Sequence, residues 1–125
     1  MADHRKLTLN YQNIVNGDMS QASIVSAVSS IAYLDNIGVQ LSWTGTPTGT
    51  FAIQVSADYQ QDQNKNVTNV GNWIPLILSP APAASGAAGT AYIDLNQLSA
   101  PWIRVVYTKT SGTGTLQGFI NGKSV

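Results

Sequence analysis

Residues Ala100–Lys123 read APWIRVVYTKTSGTGTLQGFINGK, and this stretch decides the fold class of the chain. Its first half places Ile103, Val105 and Tyr107 at every second position, so that one face of an extended strand is apolar. The glycines of Ser111–Gly114 can adopt the positive φ that a tight turn needs. The same period continues in the second half through Leu116, Gly118 and Ile120. Strand, turn and strand together predict a β-hairpin.

A second pair of strands surrounds the glycine-containing turn segment Thr44–Gly49. In Ile37–Trp43 every odd-numbered residue is apolar. In Thr50–Asp58 the inward positions of the same period are Phe51, Ile53, Val55 and Ala57. Two alternating segments on either side of a turn predict a second hairpin.

The remaining strands are shorter and are predicted at Leu7–Tyr11, Ala22–Val28, Trp73–Leu78 and Ala91–Leu95. Ala22–Val28 also fits a short helix, but its serine-rich flanks favour a strand. Because Pro75 has no backbone N–H, it is expected at a sheet edge or a bulge. A turn is predicted at Asn16–Gly17, and loops are predicted at Tyr59–Gly71 and Ser79–Gly89.

This pattern predicts an all-β protein, an antiparallel β-sandwich of about eight strands that is jelly-roll-like in connectivity. Jelly-roll and immunoglobulin-like strand orders both stay open. We divide the chain into a short N-terminal arm, residues 1–6, and a single β-sandwich domain, residues 7–125. Without alternating β and α segments, a nucleotide-binding α/β fold is excluded.

Composition narrows the classes of partner. Six Lys and Arg balance six Asp, and charged residues make up only 10% of the chain. A neutral chain without a basic stripe argues against nucleic acid as a partner. No apolar run approaches the ~18 residues that span a bilayer, so no membrane partner is predicted. A polar N-terminus without a signal-peptide core predicts synthesis in a cytoplasm. A surface with few charges suits close packing against another protein.

No constellation of residues points to catalysis. His4 is the only histidine and lies in the predicted arm, which is poorly placed for a triad or a metal site. The chain has no cysteine and no phosphate-binding glycine motif. Asp58 and Asp62 with Asn64 or Asn66 offer oxygen ligands for Ca²⁺, although their spacing matches no EF-hand. We therefore predict a non-enzymatic protein with no catalytic, metal-binding or cofactor-binding residues and no cofactor.

The aromatic side chains are numerous enough for a sugar-binding platform. Trp43 follows the inward period of its strand, and Trp73 and Trp102 each begin a strand, where large rings close the end of a core. Tyr33 and Tyr59 are the best candidates for exposed contacts. Arg104 occupies an outward position and is expected to be solvated or paired.

Several segments together resemble small β-sandwich proteins encoded among phage and prophage structural genes. They are VQLSWTG (residues 39–45), TFAIQVSADYQ (50–60), GNWIPL (71–76) and AYIDLNQLSAPWIRVVYTKTSGTGTLQGFINGK (91–123). The most recognisable parts are Ser56–Asp58, Asn72–Trp73 and the terminal WIRVVY and SGTGTL phrases. The similarity extends over about Val28–Lys123.

The resemblance implies a virion component, most of all a capsid decoration or cement protein. Such a protein is expected to bind the major capsid protein or other virion subunits as a homo-oligomer, a trimer being favoured. The arm and the two long loops lack a core pattern, so we expect them to form the contacts between subunits. The candidate contact residues are Arg5, Lys6, Tyr11, Tyr59, Gln61, Lys65, Pro80 and Pro82. The alternatives are a carbohydrate-binding or host-adhesion module and a tail accessory protein.

Overall fold

A computed structural model describes residues 8–124, and that part of the chain consists of β-strands and loops without a helix. The strands are β1 (Thr8–Asp18), β2 (Ser23–Val25), β3 (Ser29–Ser30), β4 (Asn36–Trp43), β5 (Thr48–Ser56), β6 (Gln60–Gln61), β7 (Val67–Asn69), β8 (Ile74–Pro75), β9 (Ala83–Ser85), β10 (Gly89–Asn96), β11 (Trp102–Ser111) and β12 (Thr115–Lys123). The all-β prediction is confirmed. The predicted arm, residues 1–6, lies outside the described residues.

Two antiparallel sheets form the sandwich. Sheet A has four strands in the order β1-β12-β4-β10. Sheet B has the order β2-β11-β5-β8, with β3 also beside β11 and β9 also beside β5. Strands β6 and β7 form a separate two-stranded ribbon. Pro75 lies in β8, where it pairs with Gln54 at the edge of sheet B, as its missing N–H requires.

The alternating apolar positions meet between the sheets and form the core. All the odd-numbered residues of β4 are buried, as are Ile103, Val105 and Tyr107 of β11. The ring of Phe51 in sheet B lies 4.9 Å from the ring of Trp43 in sheet A and 4.9 Å from that of Tyr107. Complete burial of side chains of this size contributes about 1.5–3 kcal/mol each, so this interior drives the association of the sheets.

Both hairpin predictions are wrong, although the strands themselves are confirmed. Strand β11 belongs to sheet B and β12 to sheet A, and β4 and β5 are separated in the same way. Each connection therefore crosses from one sheet to the other. The alternating pattern requires only that one face of a strand be buried, and two strands on opposite sides of one core satisfy it as well as two paired neighbours.

The two crossing connections lie side by side. The backbone N–H of Thr44 donates to the carbonyl of Thr115 at 3.1 Å, and that of Thr46 donates to Thr113 at 2.9 Å. Gly112 has a φ of 83°, and a side chain there would collide with the carbonyl oxygen of Thr46. The glycines of this segment thus permit two backbones to approach closely.

The structure corrects several shorter predictions. Asn16–Gly17 is not a turn, because β1 continues through it and pairs there with Gln117 and Leu116 of β12. The two predicted loops are partly ordered into strands, β6 and β7 in one and β9 in the other. Ala22–Val28 contains β2 and no helix. Ala57 was predicted to point inward, but it is exposed just beyond the end of β5.

The long strands are divided between the two sheets: β1, β4, β10 and β12 lie in sheet A, and β5 and β11 lie in sheet B. This order is compatible with the predicted jelly roll, which stays a prediction. Residues 8–124 contain no helix of the length and apolarity needed to cross a bilayer.

Candidate functional site

The outer face of sheet A carries a shallow groove at the level of Gly38. Gly38 pairs with Asp94 of β10 on one side and with Asn121 of β12 on the other. The next outward row contains Asn96, Asn36 and Lys123. Outward positions along three neighbouring strands therefore place a carboxylate, amides and an ammonium group around a residue without a side chain.

The phenol of Tyr92 lies over Gly38 in this depression, which we call the Gly38 groove. Any side chain at this position would collide with the hydroxyl of Tyr92 and would lie 2.6 Å from Oδ1 of Asn121. The Tyr92 hydroxyl donates to that same Oδ1 at 3.3 Å. The groove has a volume of about 580 Å³ and is open to solvent. This volume is within the usual range of small-molecule sites, about 300–1,000 Å³.

Two exposed tyrosines line the groove, Tyr92 over Gly38 and Tyr11 on β1. Tyr92 on β10 is 60% exposed, and Tyr11 on β1 is 76% exposed. Tyr11 lies within the register shift between Leu9 and Gln12, and its ring meets that of Phe119 edge-on at 5.8 Å. Bulges commonly redirect a side chain, and this one places a ring at the rim of the groove.

The outer face of sheet B carries a different aromatic group, which we call the Tyr59 cluster: Tyr59, Trp73, Trp102 and Arg104. The ring of Tyr59 lies 4.9 Å from that of Trp102 and 5.5 Å from that of Trp73. The guanidinium of Arg104 lies 4.3 Å from the centre of the Trp73 ring, and its Nε donates to Gln54 at 2.8 Å. Burial lowers the pKa of Arg104.

The segment that covers the Tyr59 cluster is held by Ser56 and Asp58. The Oγ of Ser56 accepts the N–H of Tyr59 at 3.1 Å and donates to Asp58 at 2.9 Å. Asp58 also accepts the backbone N–H and the side-chain amide of Asn72, at 2.7 and 2.8 Å. These hydrogen bonds, first of all those from Asn72, lower the pKa of Asp58.

Beyond this cover the chain leaves large aliphatic side chains in solvent. Val67 is 51% exposed, Val70 74%, Ile74 60% and Ile77 98%. These four residues, which we call the aliphatic ridge, follow one another along the segment that leads to and passes β8. Patches of exposed apolar side chains are typical of protein-interaction surfaces, and these four side chains recur within a short segment of the chain.

The predicted contact residues fall in different environments. Tyr11 is exposed at the Gly38 groove, whereas Tyr59 is only 6% exposed. The expected exposure of Tyr59 is wrong, because its ring packs between two tryptophans. Gln61 is half-buried and donates to the Tyr59 hydroxyl at 2.8 Å.

The other predicted contact residues do not gather at one place. Lys65 is exposed beside β7, and Pro80 is exposed in the loop before β9. Pro82 is half-buried, and its carbonyl accepts the N–H of Phe51 at 3.0 Å. Arg5 and Lys6 lie outside the described residues.

The oxygen-rich loop proposed as a Ca²⁺ alternative is internally bonded. Asp62 accepts the backbone N–H groups of Asn64 and Asn66 at 2.8 and 2.9 Å, and these contacts lower its pKa. Asp58 is engaged with Asn72 instead. The two carboxylates therefore organise separate turns. Within residues 8–124, no three His, Cys, Asp or Glu side chains come together as metal ligands would.

Sequence reasoning missed both outer faces. Trp43 belongs to the core as predicted, but Trp73 and Trp102 lie in the Tyr59 cluster rather than at an end of the core. The Gly38 groove had a readable signal: Gly38 is the outward residue between Ile37 and Val39, where a side chain would normally stand.

Comparison with known proteins does not place the chain in a family. No protein-family profile matches it, and no curated protein does. Among solved structures, the crystal structure of dimeric latent PorU from Porphyromonas gingivalis matches with a TM-score of 0.42 at 8% identity. The match covers 95% of this chain and 12% of the PorU chain. A likeness this distant assigns no function.

Proposed function

We propose that this chain is a non-enzymatic structural protein of a phage particle, a capsid decoration or cement protein that stabilises the head lattice through protein–protein contacts. The observation that carries the proposal is the aliphatic ridge, which leaves four large aliphatic side chains in solvent on a chain with only 10% charged residues. Burial of such a surface against a neighbouring subunit removes apolar area from water and desolvates few charges.

The resemblance to small phage β-sandwich proteins supplies the kind of partner. The proposed partners are the major capsid protein and further copies of this chain, with a trimer as the favoured assembly. The ridge provides the apolar part of the contact, and exposed Lys65 and Pro80 flank it along the chain. The proposed location is the virion, after synthesis in the bacterial host cytoplasm.

The location is tested by immunogold electron microscopy of particles purified from the cells that encode the chain. Regular label over the head is the expected result. Label confined to the tail would replace decoration by a tail accessory role, and unlabelled particles would overturn the virion proposal.

The surface is tested by matched substitutions. Ile77→Ser is expected to abolish assembly in sedimentation velocity and binding to particles, and to leave the unfolding midpoint unchanged, because Ile77 is 98% exposed. Val25→Ser is the control, since Val25 is 52% exposed on β2 and outside the ridge. Equal effects of both substitutions, or none from Ile77→Ser, would remove the ridge from the interface.

A further inference from the structure

We propose that the Gly38 groove is a binding site for a short neutral oligosaccharide. This inference is independent of the aliphatic ridge, because the groove belongs to the outer face of sheet A and the ridge adjoins sheet B. It assigns to the chain a ligand in addition to its proposed protein partners.

The first argument is shape. Because Gly38 has no side chain, the phenol of Tyr92 lies over it and reaches Asn121 on β12, yet Tyr92 stays 60% exposed. An exposed ring laid over the sheet is a surface on which a sugar can stack. The volume of about 580 Å³ exceeds that of one pyranose ring, so the site fits a chain of sugars better than a monosaccharide.

The second argument is the pairing of rings with planar hydrogen-bonding groups. A sugar presents an apolar face of C–H groups and a rim of hydroxyls that both donate and accept. The exposed tyrosine rings can stack on the C–H face, and the carboxylate and amides can form hydrogen bonds with the hydroxyls. Asn121 contributes both an acceptor and donors, and Asp94 contributes acceptors.

The third argument is charge. Asp94 and Lys123 line the same groove, so the charged groups there balance. A phosphate or a uronic acid would face the Asp94 carboxylate without an excess of cations. A lipid tail or an apolar peptide would leave the carboxylate and the amides of the site without hydrogen-bond partners. A neutral, hydroxyl-rich ligand matches this composition.

In the Tyr59 cluster, by contrast, the rings and polar groups are already engaged within the protein. The cluster's rings contact one another and Arg104, and its polar groups bond to Gln54, Val70 and Gln61. In the groove, the Tyr92 hydroxyl has one long bond to Asn121, and its ring remains 60% exposed. Of these two faces, it is the sheet A face that leaves aromatic and hydrogen-bonding groups available together.

The test is a titration of the full-length ¹⁵N-labelled protein with cellotetraose, maltotetraose and mannotetraose, followed by amide chemical shifts. Trigalacturonate serves as the charged comparison. We expect at least one neutral tetrasaccharide to shift the amides of residues 36–38, 92–96 and 119–122. Tyr92→Ala should weaken that binding at least tenfold, a difference of about 1.4 kcal/mol.

The matched control is Tyr33→Ala, because Tyr33 is 85% exposed and does not line the groove. It should change the affinity less than twofold. The proposal is overturned if no neutral tetrasaccharide shifts these amides at about 10 mM, well above a millimolar Kd. It is equally overturned if only trigalacturonate binds or if Tyr92→Ala leaves the titration unchanged. None of these results bears on the particle-labelling experiment.

Discussion

On sheet B, the outward ring of Trp102 is covered by Tyr59 at 4.9 Å, whereas on sheet A the outward rings of Tyr92 and Tyr11 remain 60% and 76% exposed. Both faces arise from the same alternation along their strands. The difference comes from the segment between β5 and β8, which folds back over sheet B and brings its own aromatic rings. Aromatic content alone therefore does not identify a binding platform.

The packing of the β5–β8 segment over sheet B leads us to expect different roles in stability for the two faces. The Tyr59 cluster forms a second apolar assembly outside the main core, with Arg104 as its polar border. The Gly38 groove leaves its polar groups in solvent. We expect substitutions on sheet B to alter stability and equivalent substitutions on sheet A to alter binding.

The largest expected difference comes from removing one tyrosine ring from each face. Tyr59→Ala should lower the free energy of unfolding by about 3 kcal/mol, because it leaves a cavity between two tryptophans. Tyr92→Ala should change it by less than about 0.5 kcal/mol, as is usual for exposed sites. Urea denaturation measures both. Equal losses would show that the two faces do not differ in stability.

A smaller effect is expected from the cation of the covered face. Arg104→Ala removes a stacked guanidinium and its bond to Gln54, and should cost about 1.5 kcal/mol in urea denaturation. Arg104→Lys keeps the charge but not the planar stack, and should be intermediate. Lys65→Ala, at an exposed position, is the control and should have no measurable effect. If Arg104→Ala leaves the free energy of unfolding unchanged, only the aromatic rings of the Tyr59 cluster contribute to stability.

Two buried tyrosine hydroxyls can be compared, that of Tyr107 in the main core and that of Tyr59 in the cluster outside it. The hydroxyl of Tyr107 is buried without a hydrogen-bond partner, and burial raises its pKa. Tyr107→Phe should therefore stabilise the protein by about 1 kcal/mol. Tyr59→Phe should instead be slightly destabilising, because the Tyr59 hydroxyl accepts from Gln61 at 2.8 Å. Thermal unfolding of both variants would reveal opposite shifts, and a lower midpoint for Tyr107→Phe would contradict the assignment.

The smallest expected effect is the pH dependence of the stability that Asp58 contributes to the segment covering the Tyr59 cluster. The pKa of Asp58 is lowered below the ordinary value of 3.8, chiefly by Asn72. The unfolded chain then binds more protons than the folded one in acid, so this contribution is present above pH 3.8 and is lost as pH falls through the lowered pKa. Asp58→Asn should show a smaller fall in urea midpoint between about pH 5 and pH 2.5. If the urea midpoint of Asp58→Asn falls in acid as much as that of the unsubstituted protein, the acid dependence is assigned to Asp18 or Asp62.

The sequence predicted correctly those features that depend on a single strand and its nearest residues. The period-two positions of Ile37–Trp43 and Trp102–Lys109 were predicted to be inward, and these strands bury them. Pro75 was predicted at an edge for want of an N–H, and it pairs there. These inferences succeed because burial of one face and loss of a donor are properties of a single strand.

The alternating pattern of a single strand did not show which other strand it pairs with. A glycine-rich segment such as Ser111–Gly114 serves a tight hairpin or a crossing connection equally well. In the folded chain Gly112 accommodates the backbone of Thr46, a residue far away in sequence. The burial of Tyr59 has the same origin, because one of its tryptophan partners lies at the far end of the segment between β5 and β8 and the other lies on β11.

The sequence by itself determined an all-β chain, the inward face of its long strands and the scarcity of charge on its surface. Only the tertiary structure decided which strands pair, which outer face the chain covers with its own rings, and that the Tyr92 phenol lies over Gly38 between Asp94 and Asn121. The reason is that alternation is encoded residue by residue, whereas pairing and cover depend on contacts between segments that loop lengths alone do not specify.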